Sequence, residues 1–218
     1  PEELEANRDV LTLLYKAQVD INEVTGEEYP VVKLIDFGNP EANTFHAIRQ
    51  FRIDTPTKVK FFIVPDIVLF VNGLPLVVIE CKDSNIFTSN PIYEAIKQLR
   101  RYSDQREETI EAKLKEGEER LFHFNQLMIA TIGDDARFGT ITSTSDYYYN
   151  WKTIYPPTYQ NYTPPLGKER SQELLIQGML PKDTLLDIVR NFMLFMEAGD
   201  QQIKVTCRYQ QYRAVLKM

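Results

Sequence analysis

The chain has 218 residues, of which 43% are hydrophobic and 26% are charged, and this composition excludes disorder of the whole chain. The formal net charge of −6 excludes a protein that holds nucleic acid by bulk positive charge alone. The apolar runs are shorter than the roughly 18 residues that a membrane span requires. Two cysteines are too few for a disulfide framework, so we expect a cytoplasmic protein with no membrane partner.

The first part of the chain predicts one helix and two strands. Residues 9–15 (DVLTLLY) have the pattern of a helix end, and the segment from Val31 (VVKLIDF) is rich in the β-branched and apolar residues of a strand. The segment from Phe45 to Ile53 (FHAIRQFRI) alternates between apolar and polar positions, which indicates a strand with one buried face. These elements favour a mixed sheet.

Two strongly apolar strands form the next predicted unit. Their sequences are VKFFIVPDIVLFV and LPLVVIECK, and they are joined at Asn72-Gly73, one of the strongest short-range signals for a β-hairpin. Both strands are apolar on both faces. We therefore expect them to lie centrally in the sheet with helices on both sides.

A long amphipathic helix is predicted after this hairpin. Asn90 and Pro91 supply an N-cap and a first helical residue, and Gly117 supplies a stop. The residues that share one face at helical spacing are Ile92, Ala95, Ile96, Leu99 and Arg106.

Two more strands, NQLMIATIG and RFGTITS, are predicted on either side of a short Gly-Asp-Asp turn. The tyrosine- and proline-rich stretch from Trp151 to Gly167 indicates irregular surface structure. We therefore predict a main domain at residues 1–165.

Residues 166–218 are predicted to form a helical extension without a core of its own. Asp183 is expected to cap a helix (LLDIVRNFMLFM) that Gly199 closes, and IKVTCRYQQYRAV follows as a second short element. The start at Pro1 and the end at VLKM lead us to expect a segment of a longer polypeptide.

The strongest chemical signal comes from two acids within apolar strands. Asp66 and Glu80 have mainly Ile, Val, Leu and Phe as neighbours, and a buried charge requires a partner or a metal. Two carboxylates and a strand carbonyl such as that of Cys81 suit Mg²⁺. Lys82 lies on the strand face of Glu80 by the period of two. This set has the groups that metal-assisted phosphodiester hydrolysis requires.

The hairpin register tests this assignment. In a regular two-residue turn Val71 faces Leu74, so Asp66 faces Ile79 and Glu80 points to the other side of the sheet. The two acids meet only if a three-residue loop or a bulge next to Gly73 changes the parity. We predict such an irregularity.

Ordinary structural roles remain open for these residues and for several others. Asp66 could cap a strand start after Pro65 while Glu80 and Lys82 form a solvated strand end. The Cys81 thiol is expected to be buried and inert rather than activated. His46 and His123 are expected to be packed or surface side chains. Two further groups could contact DNA or could serve the fold alone: the basic residues Lys97, Arg100, Arg101 and Arg106, and the aromatic residues Tyr147, Tyr148, Tyr149 and Trp151.

The segment PDIVLFVNGLPLVVIECK resembles the nuclease motif of the PD-(D/E)xK superfamily, in the form found in the restriction (motor) subunit of type I restriction enzymes. Further segments resemble that family in the same order and cover most of the chain from about Leu34 onward. They are LIDFGNPEANTFHAIRQF, AIKQLRRY, FNQLMIATIGDDARFGTIT, YNWK, LLDIVRNFMLF and RYQQYRAV.

The resemblance implies roles for five residues. The matching acids of the family bind the divalent metal and its lysine serves catalysis, which implies these roles for Asp66, Glu80 and Lys82. The family's Q-x-x-x-Y motif, needed for cleavage, is matched by Gln98 and Tyr102. These two share one edge of the predicted helix.

The chain departs from the family pattern in two places. Family members usually have Arg before the Pro-Asp pair, where Val64 stands here. The upstream helix that often supplies a further acid is expected before Pro1 or only in part, with Glu3 and Glu5 as weak substitutes.

The resemblance also implies a fold and a function. The fold is α/β, a restriction-endonuclease-like mixed sheet flanked by helices, with a C-terminal helical extension. The function is cleavage of double-stranded DNA with Mg²⁺ or Mn²⁺, in partnership with methyltransferase and specificity subunits. ATP is expected only for the motor of the full-length subunit, because this chain has no G-x-x-x-x-G-K-[ST]. The alternatives are a stand-alone repair or recombination nuclease and a degenerate nuclease fold that serves as a docking or DNA-binding module.

Overall fold

A computed structural model describes residues 2–16, 22–27, 33–56, 60–83, 90–104, 115–154 and 170–218. The helices are α1 (Glu2–Tyr15), α2 (Pro91–Tyr102), α3 (Glu119–His123), α4 (Ser171–Met179), α5 (Lys182–Asn191) and α6 (Tyr209–Leu216). The strands are β1 (Phe45–Arg49), β2 (Ile53–Asp54), β3 (Phe62–Ile63), β4 (Ile67–Val71), β5 (Leu74–Lys82), β6 (Leu127–Ile132), β7 (Asp135–Gly139), β8 (Met193–Ala198) and β9 (Gln201–Thr206).

A five-stranded mixed sheet forms the centre of the molecule, with the strand order β1-β4-β5-β6-β7. Strands β5 and β6 are parallel, and the other neighbouring pairs are antiparallel. Strand β5 is the middle strand, as its apolar sequence predicts. The expected α/β fold with a mixed sheet flanked by helices is confirmed.

Both faces of the sheet are buried. Val78 of β5 packs into a cluster with α2 and α3, and Val77 and Ile79 pack into a second cluster with α1, α4, α5 and α6. Alternate residues of β5 therefore serve opposite cores, which explains why this strand lacks a polar face. None of the helices in the described ranges is both long and apolar enough to span a membrane.

Helix α2 begins as predicted and ends earlier. The side chain of Asn90 accepts a hydrogen bond from the Tyr93 amide, and Pro91 is the first helical residue. The helix ends at Tyr102, and the Glu118 amide donates to the Tyr102 carbonyl oxygen at 3.0 Å. The predicted continuation to Gly117 is wrong, because Gly117 instead packs against this helix end. Arg106 lies outside the described residues.

Several predicted strands are shorter than their sequences indicate. Residues 33–37 of the predicted VVKLIDF strand are irregular, and its first two residues lie outside the described part. The strand predicted from Phe45 ends at Arg49, because Gln50 has a left-handed backbone with φ 50°. The strand predicted before Asn72 is broken at residues 64–66 into β3 and β4.

The C-terminal region contains a hairpin that the sequence analysis missed. Helix α5 ends at Asn191 instead of continuing to Met196, because Met193–Ala198 pairs with Gln201–Thr206 as β8 and β9. Gly199, with φ 64°, lies in the hairpin turn and does not close a helix. Asp183 lies in the first turn of α5, whose N-cap is Pro181.

The C-terminal elements pack on the sheet and share its core. Leu185, Met193 and Tyr212 belong to the same buried cluster as Val77 of β5. The expectation that this region lacks a core of its own agrees with this packing. The predicted domain boundary near residue 165 lies outside the described residues and stays a prediction.

Candidate active site

The β4–β5 hairpin has a two-residue turn and a bulge. Asn72 and Gly73 have φ values of 50° and 83°. A two-residue type I′ turn requires positive φ at both of its central residues. Phe70 pairs with Pro75 and Leu69 pairs with Val77, so Leu76 has no partner on β4. The predicted irregularity is confirmed, and the bulge lies in β5 itself, slightly beyond Gly73.

The bulge brings the two predicted acids together. Beyond it Ile67 pairs with Ile79, and this register continued by one residue places Asp66 opposite Glu80. Directly opposed residues of antiparallel strands lie on the same face. Asp66 and Glu80 therefore share the face of the sheet that α2 covers.

The Asp66 carboxylate is held from two sides. Its Oδ2 accepts a hydrogen bond from the main-chain amide of Cys81 at 2.8 Å, and its Oδ1 accepts one from Nε2 of Gln50 at 2.8 Å. Each carboxylate oxygen has a second lone-pair direction. Asp66 therefore keeps acceptor capacity for a further ligand.

Glu80 is a buried carboxylate that is only half satisfied. Its side chain is 2% exposed, and Oε1 accepts from Nζ of Lys82 at 2.6 Å. Its Oε2 is buried and has no hydrogen-bond partner in the part of the chain that the structure describes. Burial raises the pKa of Glu80 to about 7, although Lys82 acts in the opposite direction.

Helix α2 supplies the remainder of the network. Nζ of Lys82 also donates to Oε1 of Gln98 at 2.6 Å, and Nε2 of Gln98 donates to the Tyr102 hydroxyl at 2.5 Å. The Tyr102 hydroxyl donates in turn to the carbonyl oxygen of Val64 at 3.3 Å. Burial raises the pKa of Tyr102 to about 12, so this residue stays a neutral donor at physiological pH. All five predicted catalytic residues therefore lie at one site.

The donor set fits a hard divalent cation with few protein ligands. The orphaned Oε2 of Glu80 and the free acceptor directions of Asp66 are carboxylate oxygens, which Mg²⁺ and Mn²⁺ prefer. The described residues contain no group of three or more His, Cys, Asp or Glu that could hold a metal. Two carboxylates with a carbonyl such as that of Cys81 therefore leave several positions for water.

Some candidates from the sequence have other roles. Cys81 is exposed and not buried as expected. Partial burial and the negative charge of Asp66 raise the pKa of its thiol to about 11, so it is no activated thiol. Arg100 donates to the Ser143 carbonyl oxygen. Arg101 lies close enough for its charge to lower the pKa of Glu80. Glu3 is buried on α1 and Glu5 pairs with Arg8.

The aromatic cluster divides between core and surface. Trp151 and Tyr148 are buried, at 1% and 4% exposure, so the expectation of surface structure is wrong for Trp151. Gly178 of α4 lies directly against the Trp151 ring, which fixes this side chain in the core. Tyr147 remains exposed at 61%.

Gln50 is a site residue that the sequence analysis missed. It occupies a polar position of the predicted alternating strand, and nothing in that pattern distinguishes it from a solvated residue. Its contact with Asp66 depends on a left-handed turn after β1, which the sequence around it does not signal.

The chain matches a known protein family over the region that contains this site. The family model described as "Type I restriction enzyme R protein N terminus" matches residues 2–147, about two thirds of the chain. The chain belongs to this family. The matched region of this R-protein N-terminal family contains the whole hydrogen-bonded network from Gln50 to Tyr102.

Named relatives agree with the family. The type I restriction enzyme HindI endonuclease subunit of Haemophilus influenzae is 30% identical over 199 residues, which cover 91% of this chain and 17% of the relative. A putative type I restriction enzyme MjaVIIIP endonuclease subunit of Methanocaldococcus jannaschii is 30% identical over 195 residues, which cover 85% of this chain and 16% of the relative. The chain thus spans about one sixth of the length of these relatives.

Proposed function

We propose that this chain is the nuclease part of a type I restriction enzyme R subunit and that it hydrolyses phosphodiester bonds of double-stranded DNA with Mg²⁺ or Mn²⁺. The observation that carries the proposal is the buried Oε2 of Glu80, which has no partner among the described residues, directly across from Asp66. A half-satisfied buried carboxylate is costly unless it takes up a proton or a cation completes it.

Asp66 and Glu80 would hold the metal, with the Cys81 carbonyl as a further oxygen ligand. When bound, the divalent ion neutralises charge on the phosphate and lowers the pKa of a coordinated water. Gln50 and the Cys81 amide hold the Asp66 carboxylate. The chain therefore presents one carboxylate oriented by hydrogen bonds and one buried carboxylate.

Lys82 would orient the attacking water or stabilise charge on the phosphate. Two of its three N–H groups bind Oε1 of Glu80 and Oε1 of Gln98. Among the contacts of the described residues, this leaves one N–H for a water or phosphate oxygen. Its position two residues beyond Glu80 directs this donor to the same face as the carboxylates.

Gln98 and Tyr102 would support the lysine and the scissile strand. Gln98 accepts from Lys82 and donates to Tyr102, so its amide orientation is determined by both neighbours. Tyr102 is tied to the Val64 carbonyl just before Pro65 and Asp66. These contacts join α2 to Lys82 of β5 and to the segment before β4.

Target recognition and methylation would belong to specificity and methyltransferase subunits, and ATP-driven translocation to the remainder of the R subunit. This division accounts for the net charge of −6, because other parts of the complex would hold the DNA.

Reconstitution of the complete enzyme with Asp66→Asn tests the proposal. We expect loss of double-strand cleavage by more than about a hundredfold, equivalent to about 3 kcal/mol of barrier, with ATP hydrolysis retained. Glu197→Gln, at an exposed carboxylate in β8, is the matched control and should cleave like the wild type. Wild-type cleavage by Asp66→Asn contradicts the proposal.

A further inference from the structure

Gln50 is bound to Asp66 through both its main chain and its side chain. The main-chain amide of Gln50 donates to the Asp66 carbonyl oxygen at 2.8 Å, and its Nε2 donates to Oδ1 of the same residue at 2.8 Å. One residue therefore holds both the backbone and the carboxylate of Asp66.

The backbone of Gln50 is unusual for its residue type. Its φ of 50° lies in the left-handed region, which favours glycine, asparagine and aspartate and strains other residues. A glycine would relieve this strain, but it would lose the side-chain amide. The neighbouring Phe51 amide donates to the Pro65 carbonyl oxygen, so the chain is held against the Pro65-Asp66 segment on both sides of the turn.

The two donors to Asp66 come from different parts of the chain and bind different oxygens. Gln50 follows β1 and binds Oδ1, whereas the Cys81 amide of β5 binds Oδ2. Two donors at opposite oxygens define the rotation of a carboxylate, whereas a single donor leaves it free to turn. The lone pairs that remain are then fixed relative to Glu80 on the facing strand.

We propose that Gln50 is a positioning residue that orients the Asp66 carboxylate for metal binding beside Glu80. The metal in this inference rests on the proposed function, but the orientation of Asp66 by Gln50 does not. Outer hydrogen bonds of this kind typically change metal affinity ten- to a hundredfold when they are removed. Gln50 itself would touch neither the metal nor the DNA phosphate.

Two variants of Gln50 separate the effect of its side-chain hydrogen bond from the effect of its backbone strain. Gln50→Met keeps the length of the side chain and removes the donor, and Gln50→Gly removes the donor while relieving the left-handed strain. Asn72→Gly is the control for the backbone, because it also removes an amide side chain from a residue with φ 50°. The side chain of Asn72 has hydrogen bonds to Leu34, Asn43 and Thr44 and not to Asp66, and glycine also suits its position in the turn. Thermal unfolding of each variant reports whether the fold is retained.

The first measurement is calorimetric titration of the chain with Mn²⁺. We expect both Gln50 variants to bind Mn²⁺ at least tenfold more weakly than the wild type and Asn72→Gly to bind with wild-type affinity. We also expect Gln50→Gly to unfold at or above the wild-type temperature, an opposite pair of effects that a merely structural role does not produce. Wild-type affinity in both Gln50 variants overturns the inference and leaves the proposed function intact.

The second measurement needs no metal. The Cys81 amide binds Oδ2 of Asp66, so its hydrogen exchange, followed by NMR, reports the orientation of that carboxylate. We expect faster exchange at Cys81 in both Gln50 variants and wild-type exchange in Asn72→Gly. Unchanged exchange overturns the positioning role. Absence of Mn²⁺ binding in the wild type contradicts the proposed function, and the exchange rates then decide the positioning role separately.

Discussion

Asp66 and Glu80 face each other across the β4–β5 hairpin because Leu76 is bulged out of register. The turn at Asn72-Gly73 alone would pair Asp66 with Ile79, and the one unpaired residue shifts this pairing by one position. The side-chain period of a strand is two, so this single shift determines which face of the sheet Glu80 occupies.

Deletion of Leu76 should therefore abolish metal binding. Without the extra residue, a regular hairpin directs Glu80 away from Asp66. Leu76→Ala keeps the residue count and should keep wild-type Mn²⁺ affinity, although removal of a fully buried side chain should cost about 2–5 kcal/mol of stability. Calorimetric titration of both variants is the measurement, and retained Mn²⁺ affinity in the deletion variant speaks against the bulge as the determinant.

The stability of the metal-free chain should fall as pH rises through the titration of Glu80. The folded pKa of about 7 lies above the ordinary value of 4.5, so the folded state binds more protons between these values. Glu80 thus stabilises the fold below pH 4.5, and this contribution is lost by about pH 7, with a slope of at most about 1.4 kcal/mol per pH unit.

Chemical denaturation at several pH values measures this slope. Glu80→Gln removes the titrating group, so the difference in unfolding free energy between wild type and variant should change over this window and level off outside it. A constant difference from pH 4.5 to pH 7 is inconsistent with a protonated Glu80 in the metal-free site.

Lys82→Met should eliminate cleavage and also move the pH dependence of metal binding. Lys82 lowers the pKa of Glu80, so its removal raises that pKa further and more protons compete with the metal. Mn²⁺ binding should weaken at pH 7 and recover at higher pH, whereas cleavage by the reconstituted enzyme should stay absent at both. Recovery of cleavage with metal binding would show that Lys82 has no catalytic role of its own.

The contribution of Lys204 to stability should rise with pH, whereas that of Glu80 should fall. It is fully buried, and its three acceptors are neutral oxygens of Asn7, Asn125 and Gln126. Burial lowers its pKa well below the ordinary value of 10.5, so the unfolded state binds the extra proton. Its contribution is fully present above pH 10.5 and is lost as pH falls towards the lowered pKa.

The matched variant for this residue is Lys204→Met. The unfolding free energy of the wild type relative to Lys204→Met should increase between pH 7 and pH 10, measured by urea denaturation. A difference that does not change with pH would mean that Lys204 stays charged in the folded chain.

The sequence predicts the elements that local chemistry determines. Asn72-Gly73 specifies the turn, Asn90-Pro91 specifies the start of α2, and the apolar sequence of β5 specifies a strand buried on both faces. The side-chain period of two also predicts that the hairpin must be irregular if Asp66 and Glu80 are to lie on one face. The sequence does not indicate which residue is bulged, because that depends on the packing of Leu76 in the core.

The features that the sequence missed depend on tertiary contacts. In β8, Met193 is buried while Leu194 and Met196 are exposed. All three are apolar, so the sequence lacks the alternation of apolar and polar residues that indicates a strand. The same apolar run also suits a helix. The contact between Gln50 and Asp66 joins the residue after β1 to the residue before β4. No local pattern encodes such a contact.

The most direct test of a metal site at Asp66 and Glu80 is a crystal structure of this chain soaked in Mn²⁺, with the ion located by anomalous scattering. We expect an ion bound by Oε2 of Glu80 and a carboxylate oxygen of Asp66, with water at the remaining positions. Glu80 without a bound ion at saturating Mn²⁺, or an ion held by other residues, would contradict it.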